Sequence, residues 1–162
     1  MRAPHPRTQA ATILSLVLGR AHPAYDALPH SAPVVALPPY AWYVRVADLP
    51  TLVTHLAPAL ERRLAGSVVE GYTGEVKLSF YRGGLRLAFE AGRLTAVEDW
   101  TPGAWDAGNA GFPPLVVLQL LFGHHSLAAL QAIYPDIWVN DSVRPLLEAL
   151  FPARLSWALP LD

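Results

Sequence analysis

Two adjacent histidines, His124 and His125, end the apolar run FPPLVVLQLLFGHHSL that starts at Phe112. Imidazole is both a metal ligand and a general base, so the pair raises a chemical question. A helical zinc site takes histidines at i and i+4, whereas neighbours on a regular element diverge. No Cys, His or acidic residue stands at a ligand spacing nearby, so the expectation is no metal and a polar helix end before Ser126. Glu98-Asp99 could serve as an acid/base pair, but adjacent strand residues face opposite sides of a sheet, which leaves a solvated strand end. Ser67, Ser79 and Ser126 stand in no nucleophile-elbow pattern. No G-x-x-x-x-G-K-[ST] phosphate loop occurs.

RLAGSV, residues 63–68, begins the R/Q-x-x-G-x-G/A turn with which GNAT-class acetyltransferases hold the acetyl-CoA pyrophosphate, but it ends in Val. It also follows a predicted helix, whose C-terminal dipole repels phosphate. It reads as a helix stop. The chain is therefore expected to carry no catalytic site of its own and to bind no acetyl-CoA.

The elements that would have to position any site are legible in the pattern. GEVKLSFYRGGLRLAFEAGRLTAVEDW, residues 74–100, reads as a three-stranded antiparallel meander with turns at Arg82-Gly83 and Ala91-Gly92. Counting outward, Phe80 faces Leu85, Leu78 faces Leu87 and Val76 faces Phe89. Across the second turn Phe89 faces Leu94 and Leu87 faces Ala96. A turn at Gly83-Gly84 shifts the first pairing by two and keeps the faces. One face is then apolar and the other polar, with Glu90 opposite Arg93 as a cross-strand ion pair.

Upstream, AWYVRV, residues 41–46, alternates like a strand with Trp42, Val44 and Val46 on one side. DLPTLVTHLAPALERRLAGS then reads as an amphipathic helix, capped by Asp48, ended by Gly66 and kinked at Pro58. Its stripe is Leu49, Leu52, Val53, Leu56, Leu60 and Leu64. TPGAWDAGNAG, residues 101–111, reads as a mobile loop. The run from Pro113-Pro114 to Phe122 reads as a helix apolar almost all round, stopped by Gly123. Ser126 caps a helix Leu127–Ile133, and a last helix covers Ser142–Phe151 with Leu146, Leu147, Leu150 and Phe151 as its stripe. This order predicts an α+β fold, with helices on one face of a mostly antiparallel sheet.

Composition narrows the function. The 162 residues are 52% hydrophobic and 15% charged, with net charge −1 and no cysteine. That excludes disulfides and thiolate chemistry and lacks the basic footprint of a nucleic-acid binder. It fits a cytoplasmic protein. AATILSLVL, residues 10–18, follows Arg2 and Arg7 as a signal peptide would, but no A-x-A cleavage pattern appears and nine residues do not span a bilayer. No transmembrane segment is expected.

Several segments together carry a family resemblance: HPAYDAL, PYAWYVRVADLP, HLAPALERRLAGS, GYTGEVKLSFYRGGLRLAFEAGRL, FPPLVVLQLLFGHHSL, YPDIWV and LLEALFP. They resemble the C-terminal domain of bacterial GNAT-class acetyltransferases similar to the enhanced intracellular survival protein. The resemblance covers residues 21–162, leaves residues 1–20 unassigned, and implies a sterol-carrier-protein-like fold with helices on a sheet around an apolar cavity. It implies a non-catalytic module that supplies an apolar pocket or a docking and oligomerisation surface to an acetyltransferase domain. Such a domain, with its acetyl-CoA cofactor, would precede this module in a longer protein. Composition also allows a stand-alone carrier of a lipid, sterol or other hydrophobic ligand. Phe80, Leu87 and Phe89 on the sheet with Leu118, Leu121 and Phe122 on the apolar helix are the expected pocket lining, with a filled core as the alternative. In the resembled enzymes the C-terminal carboxylate returns to the acetyl-transfer site, which here designates Asp162. For the isolated chain, a tail anchored by Trp157 with Asp162 solvated is expected instead.

Overall fold

The computed structural model describes residues 23–28 and 44–154. The chain divides into two units, Met1–Ala36 and Leu37–Asp162. In the first, Pro23–Tyr25 forms one 3-10 turn. The 1–20 segment, the first residues of the expected 41–46 strand, and the tail with Trp157 and Asp162 lie outside the described residues.

Helix α1, Leu49–Leu64, starts where side-chain chemistry dictates, and it ends at Ala65, still right-handed, with no left-handed turn at Gly66. Asp48 accepts from the Thr51 amide at 2.9 Å and from the Thr51 hydroxyl at 2.6 Å. Those two bonds hold the Asp48 carboxyl below its ordinary pKa, because they favour the charged form. Val53, Leu60 and Leu64 are buried, so the expected stripe faces the core. Pro58 sits inside the helix, as its place in the sequence requires.

The meander follows as β1 (Gly74–Ser79), β2 (Gly84–Glu90) and β3 (Arg93–Trp100). Its first register differs from the expectation. Leu78 faces Leu85 and Val76 faces Leu87, a slip of two residues that withdraws Phe80 into the connection. The Phe80 amide donates to the Gly83 carbonyl at 2.7 Å, closing a longer turn than the two-residue one. Since side chains alternate with period two, the slip preserves both faces.

The second hairpin begins as expected, with Glu90 opposite Arg93 and Phe89 opposite Leu94. A bulge then opens between Ala88 and Phe89, so that Leu87 faces Val97 and not Ala96. The larger valine thereby joins the apolar layer, where it packs against the core. The polar face is also re-wired: Glu90 and Arg93 share a register position but no ion pair. Arg86 instead bridges Glu75 and Glu98, with 2.6 Å to Glu98. Paired in this way, Glu75 is held below the usual carboxylate range and Arg86 is raised.

Ala91 and Gly92 both adopt positive φ, +47° and +80°, as a type I′ turn requires. Glycine suits this backbone, whereas alanine is strained in it by about 1–2 kcal/mol. Replacing Ala91 with Asn, the residue favoured at that position, should therefore stabilise the domain by about 0.5–1 kcal/mol. A rise in the thermal midpoint without change in the circular dichroism spectrum is the expected observation. A fall would show that the alanine methyl is packed and not strained.

Among the described residues two further short strands join the sheet, and sequence periodicity does not show either of them. β4 (Ala110–Gly111) runs parallel to β1, and β5 (Trp138–Val139) pairs antiparallel with β4. The order is β3-β2-β1-β4-β5, a mixed, mostly antiparallel sheet. Two residues are too few to display alternation, and their pairing depends on distant β1. By contrast Val44–Val46 joins no strand; Val44 is exposed and Val46 lies against the core. Alternation specifies a strand only where a partner completes its hydrogen bonds.

Three further helices follow. α2 is Val116–Leu121, shorter than expected, because Leu115 takes a left-handed conformation (φ +68°) and Pro113-Pro114 remain outside the helix. Gly123, also left-handed, ends the segment with its amide on the Leu120 carbonyl. α3 covers Leu127–Ile133 behind the Ser126 cap, whose hydroxyl accepts from the Ala129 amide. α4 is Arg144–Leu150. Its Leu146, Leu147 and Leu150, followed by Phe151, are buried as expected. The helices and the apolar sheet face share one core, and the fold is α+β. No described helix is long and apolar enough to cross a membrane.

Candidate functional site

Four of the six expected pocket residues come together in the structure. Leu87, Phe89, Leu118 and Leu121 are buried together in the core, Phe80 packs at its margin, and Phe122 is 43% exposed. Helix α2 explains the difference: its buried residues are Val116, Val117, Leu118, Leu120 and Leu121, so Phe122 falls just past its end on the outer side. Most of the apolar run that opens at Phe112 is buried, Phe112 itself having no exposed surface, while Leu115 and Phe122 are its exposed apolar side chains.

The residues singled out for chemistry are engaged in local structure. His124 and His125 do not diverge; their rings lie 4.3 Å apart at 59°. They occupy an irregular turn after Gly123, where both amides donate to the Gln119 carbonyl, so the rule for regular elements does not govern them. Among the described residues no three His, Cys, Asp or Glu side chains converge as a metal site would require. Glu98 and Asp99 do face opposite sides, Glu98 beside Arg86 and Asp99 opposite Leu85. The Ser67 hydroxyl donates to the Leu64 carbonyl and accepts from the Val69 amide, at the end of α1. Ser79 is buried and accepts from the Tyr81 amide in the first meander turn.

One feature of the surface stands apart from this packing. Trp105 is fully exposed at the tip of the 101–109 connection between β3 and β4. Its neighbours are tied down on both sides. Gly103 and Asp106 exchange backbone hydrogen bonds at 2.9 and 3.3 Å. Asp106 pairs with the Lys77 ammonium at 2.5 Å and accepts from the Gly108 amide at 3.1 Å. Lys77 also lies 5.6 Å from the Trp100 ring centroid, within cation–π range. The ammonium and the Gly108 amide together hold the Asp106 carboxyl below its ordinary pKa.

Asn109 anchors the far end. Its side-chain oxygen accepts from the Lys77 amide at 2.8 Å, and its own amide donates to the Lys77 carbonyl at 2.8 Å. It continues toward β5 by accepting from the Asn140 amide. Gly108 is required in this path: φ is +89°, and a Cβ there would stand 2.7 Å from the Lys77 carbonyl. The connection expected to be mobile is therefore braced against β1, and it presents one indole to solvent. The available signal was the sequence AWDAGNAG, in which a single large apolar side chain stands among small and turn-forming residues.

Comparison of the chain with protein-family models, with curated proteins and with solved structures gave no significant match.

Proposed function

We propose that the chain is a non-catalytic docking module of the kind that follows the acetyl-CoA domain in GNAT-type acetyltransferases. The observation that carries this reading is Trp105, wholly exposed on a braced turn. Exposing an indole forgoes its burial energy, and a rigid support removes the ordering cost that a loose loop would bring to an interface. Tryptophan is also among the residues that dominate binding energy at interfaces. The burial of Leu87, Phe89, Leu118 and Leu121 in the core favours docking over carriage of a hydrophobic ligand. The resemblance supplies the partner: an acetyltransferase domain, which alone would hold acetyl-CoA.

The test mixes the chain with an acetyl-CoA domain of the resembled class and follows binding by titration calorimetry. Saturable binding is expected, weakened at least tenfold by Trp105→Ala, which corresponds to roughly 1.4 kcal/mol. The same variant should leave the thermal midpoint unchanged, because Trp105 contributes nothing to the core. Absence of binding, or equal affinity in the variant, would reject the docking role. Binding of a fluorescent fatty acid to the unmodified chain, reversed by an unlabelled fatty acid, would favour the carrier reading.

A further inference from the structure

The C-terminal ends of α1 and α4 meet at a groove of about 630 Å³. Arg62, Arg63 and Arg154 line it, with Ser67 and Glu148 as further polar residues and Ala149 and Pro152 among the apolar ones. The Arg63 guanidinium donates to the Leu150 carbonyl at 2.5 Å, so one arginine ties the two helix ends together. Arg154 is positioned from another direction, its amide donating to the Gly123 carbonyl at 2.8 Å. Three cations are thus brought to one place by segments far apart in sequence.

Their charge exceeds what the surroundings neutralise. Two helix C-termini contribute about −0.5 each, and Glu148 adds one negative charge, against three guanidinium groups. Among the described residues no carboxylate lies within ion-pair distance of Arg62, Arg63 or Arg154; the pairs formed are those of Lys77, Arg86 and Arg144. Burial, then repulsion from Arg154, lowers the Arg63 pKa, so these two guanidinium groups stand close enough to repel each other. Guanidinium forks recognise phosphate oxygens with two parallel hydrogen bonds, and Arg62 and Arg154, both exposed, are able to offer theirs.

We propose that this groove binds a phosphate-bearing ligand, with Arg62 and Arg154 as the contacting cations and Arg63 as the residue that fixes the two helix ends. It differs from the acetyltransferase phosphate turn, in which backbone amides at a helix N-terminus do the binding. Here side chains act at helix C-termini, and the surplus of guanidinium charge outweighs the unfavourable dipoles. The ligand is a free phosphate compound or a lipid headgroup, which share the same oxyanion.

Two probes separate these sources. Inorganic pyrophosphate is titrated into the chain at low ionic strength, and phosphatidylcholine vesicles with and without phosphatidic acid are tested by co-sedimentation. Saturable pyrophosphate binding assigns a soluble ligand. Retention on the phosphatidic acid vesicles alone assigns a headgroup. Either must fall at least tenfold in the Arg62→Gln, Arg154→Gln double variant. That variant keeps Arg63 and its helix bond, and an unchanged thermal midpoint verifies its fold. Should Arg154→Gln unfold the chain, Arg62→Gln alone must still weaken binding at least threefold. No binding to either probe, or binding that the variants leave intact, overturns the proposal. Neither result bears on the docking of Trp105, which lies on the β3–β4 connection and does not line this groove.

Discussion

Phe112→Ala should lower the stability of the domain by about 3–5 kcal/mol, the range for deleting a fully buried aromatic side chain. The phenylalanine is wholly buried, and its amide donates to the Ser79 carbonyl at 2.9 Å. It therefore links the end of β4 to β1 while its ring fills the core. A domain of ordinary stability has about 5–15 kcal/mol in hand, so the variant should lose roughly a fifth of it or more. Urea denaturation gives the measurement: the midpoint should fall while the slope stays constant, since the surface exposed on unfolding is nearly the same. The result also separates the two readings of the apolar run. A ring lining an open cavity makes few contacts on one side, so its removal would cost mainly the transfer free energy of the ring, about 1.5–3 kcal/mol, without the added cavity penalty of a packed wall.

The second large effect is expected at Gly84, the first residue of β2. It pairs with Ser79 on one side and Trp100 on the other. A Cβ there would meet the Leu78 carbonyl oxygen, and it would stand 2.7 Å from Trp100 Cε3 and 3.2 Å from the Trp100 carbonyl oxygen. Two of these three neighbours are backbone atoms of the flanking strands, which cannot turn aside as a flexible side chain does. Gly84→Ala should cost about 2–3 kcal/mol, at the upper end of the usual overpacking range, and Gly84→Val more. Gly83 is the internal control, because nothing lies within 4 Å of a Cβ built on it. Gly83→Ala should change stability by less than about 0.5 kcal/mol. Equal thermal midpoints for Gly83→Ala and Gly84→Ala would show that the sheet opens to accept the methyl group.

Much of the local structure was legible because its causes are local. The Asp48 cap and the leucine stripe determine α1, and Ser126 with the stripe behind it determines α3. Glycine at position 92 determines the second hairpin turn, and strict alternation determines which face of the meander is apolar. These signals act over a few residues, and tertiary packing had only to accept them.

Tertiary structure decided the features that depend on distant partners. The register of the first hairpin slipped by two, since alternation fixes the face of a side chain but not its opposite number. β4 and β5 exist because β1 offers an edge to Ala110–Gly111 and that pair in turn offers one to Trp138–Val139. The same edge converts the 101–109 segment from a loop of small residues into a braced turn, by giving Asn109 the two backbone groups of Lys77. Trp105 became a candidate contact only through that bracing, and the Arg62, Arg63 and Arg154 groove only through the meeting of two helix ends. Composition and periodicity report how apolar a segment is and which way it faces. Which polar groups are left to meet a partner depends on hydrogen bonds and charges that the folded chain alone brings together.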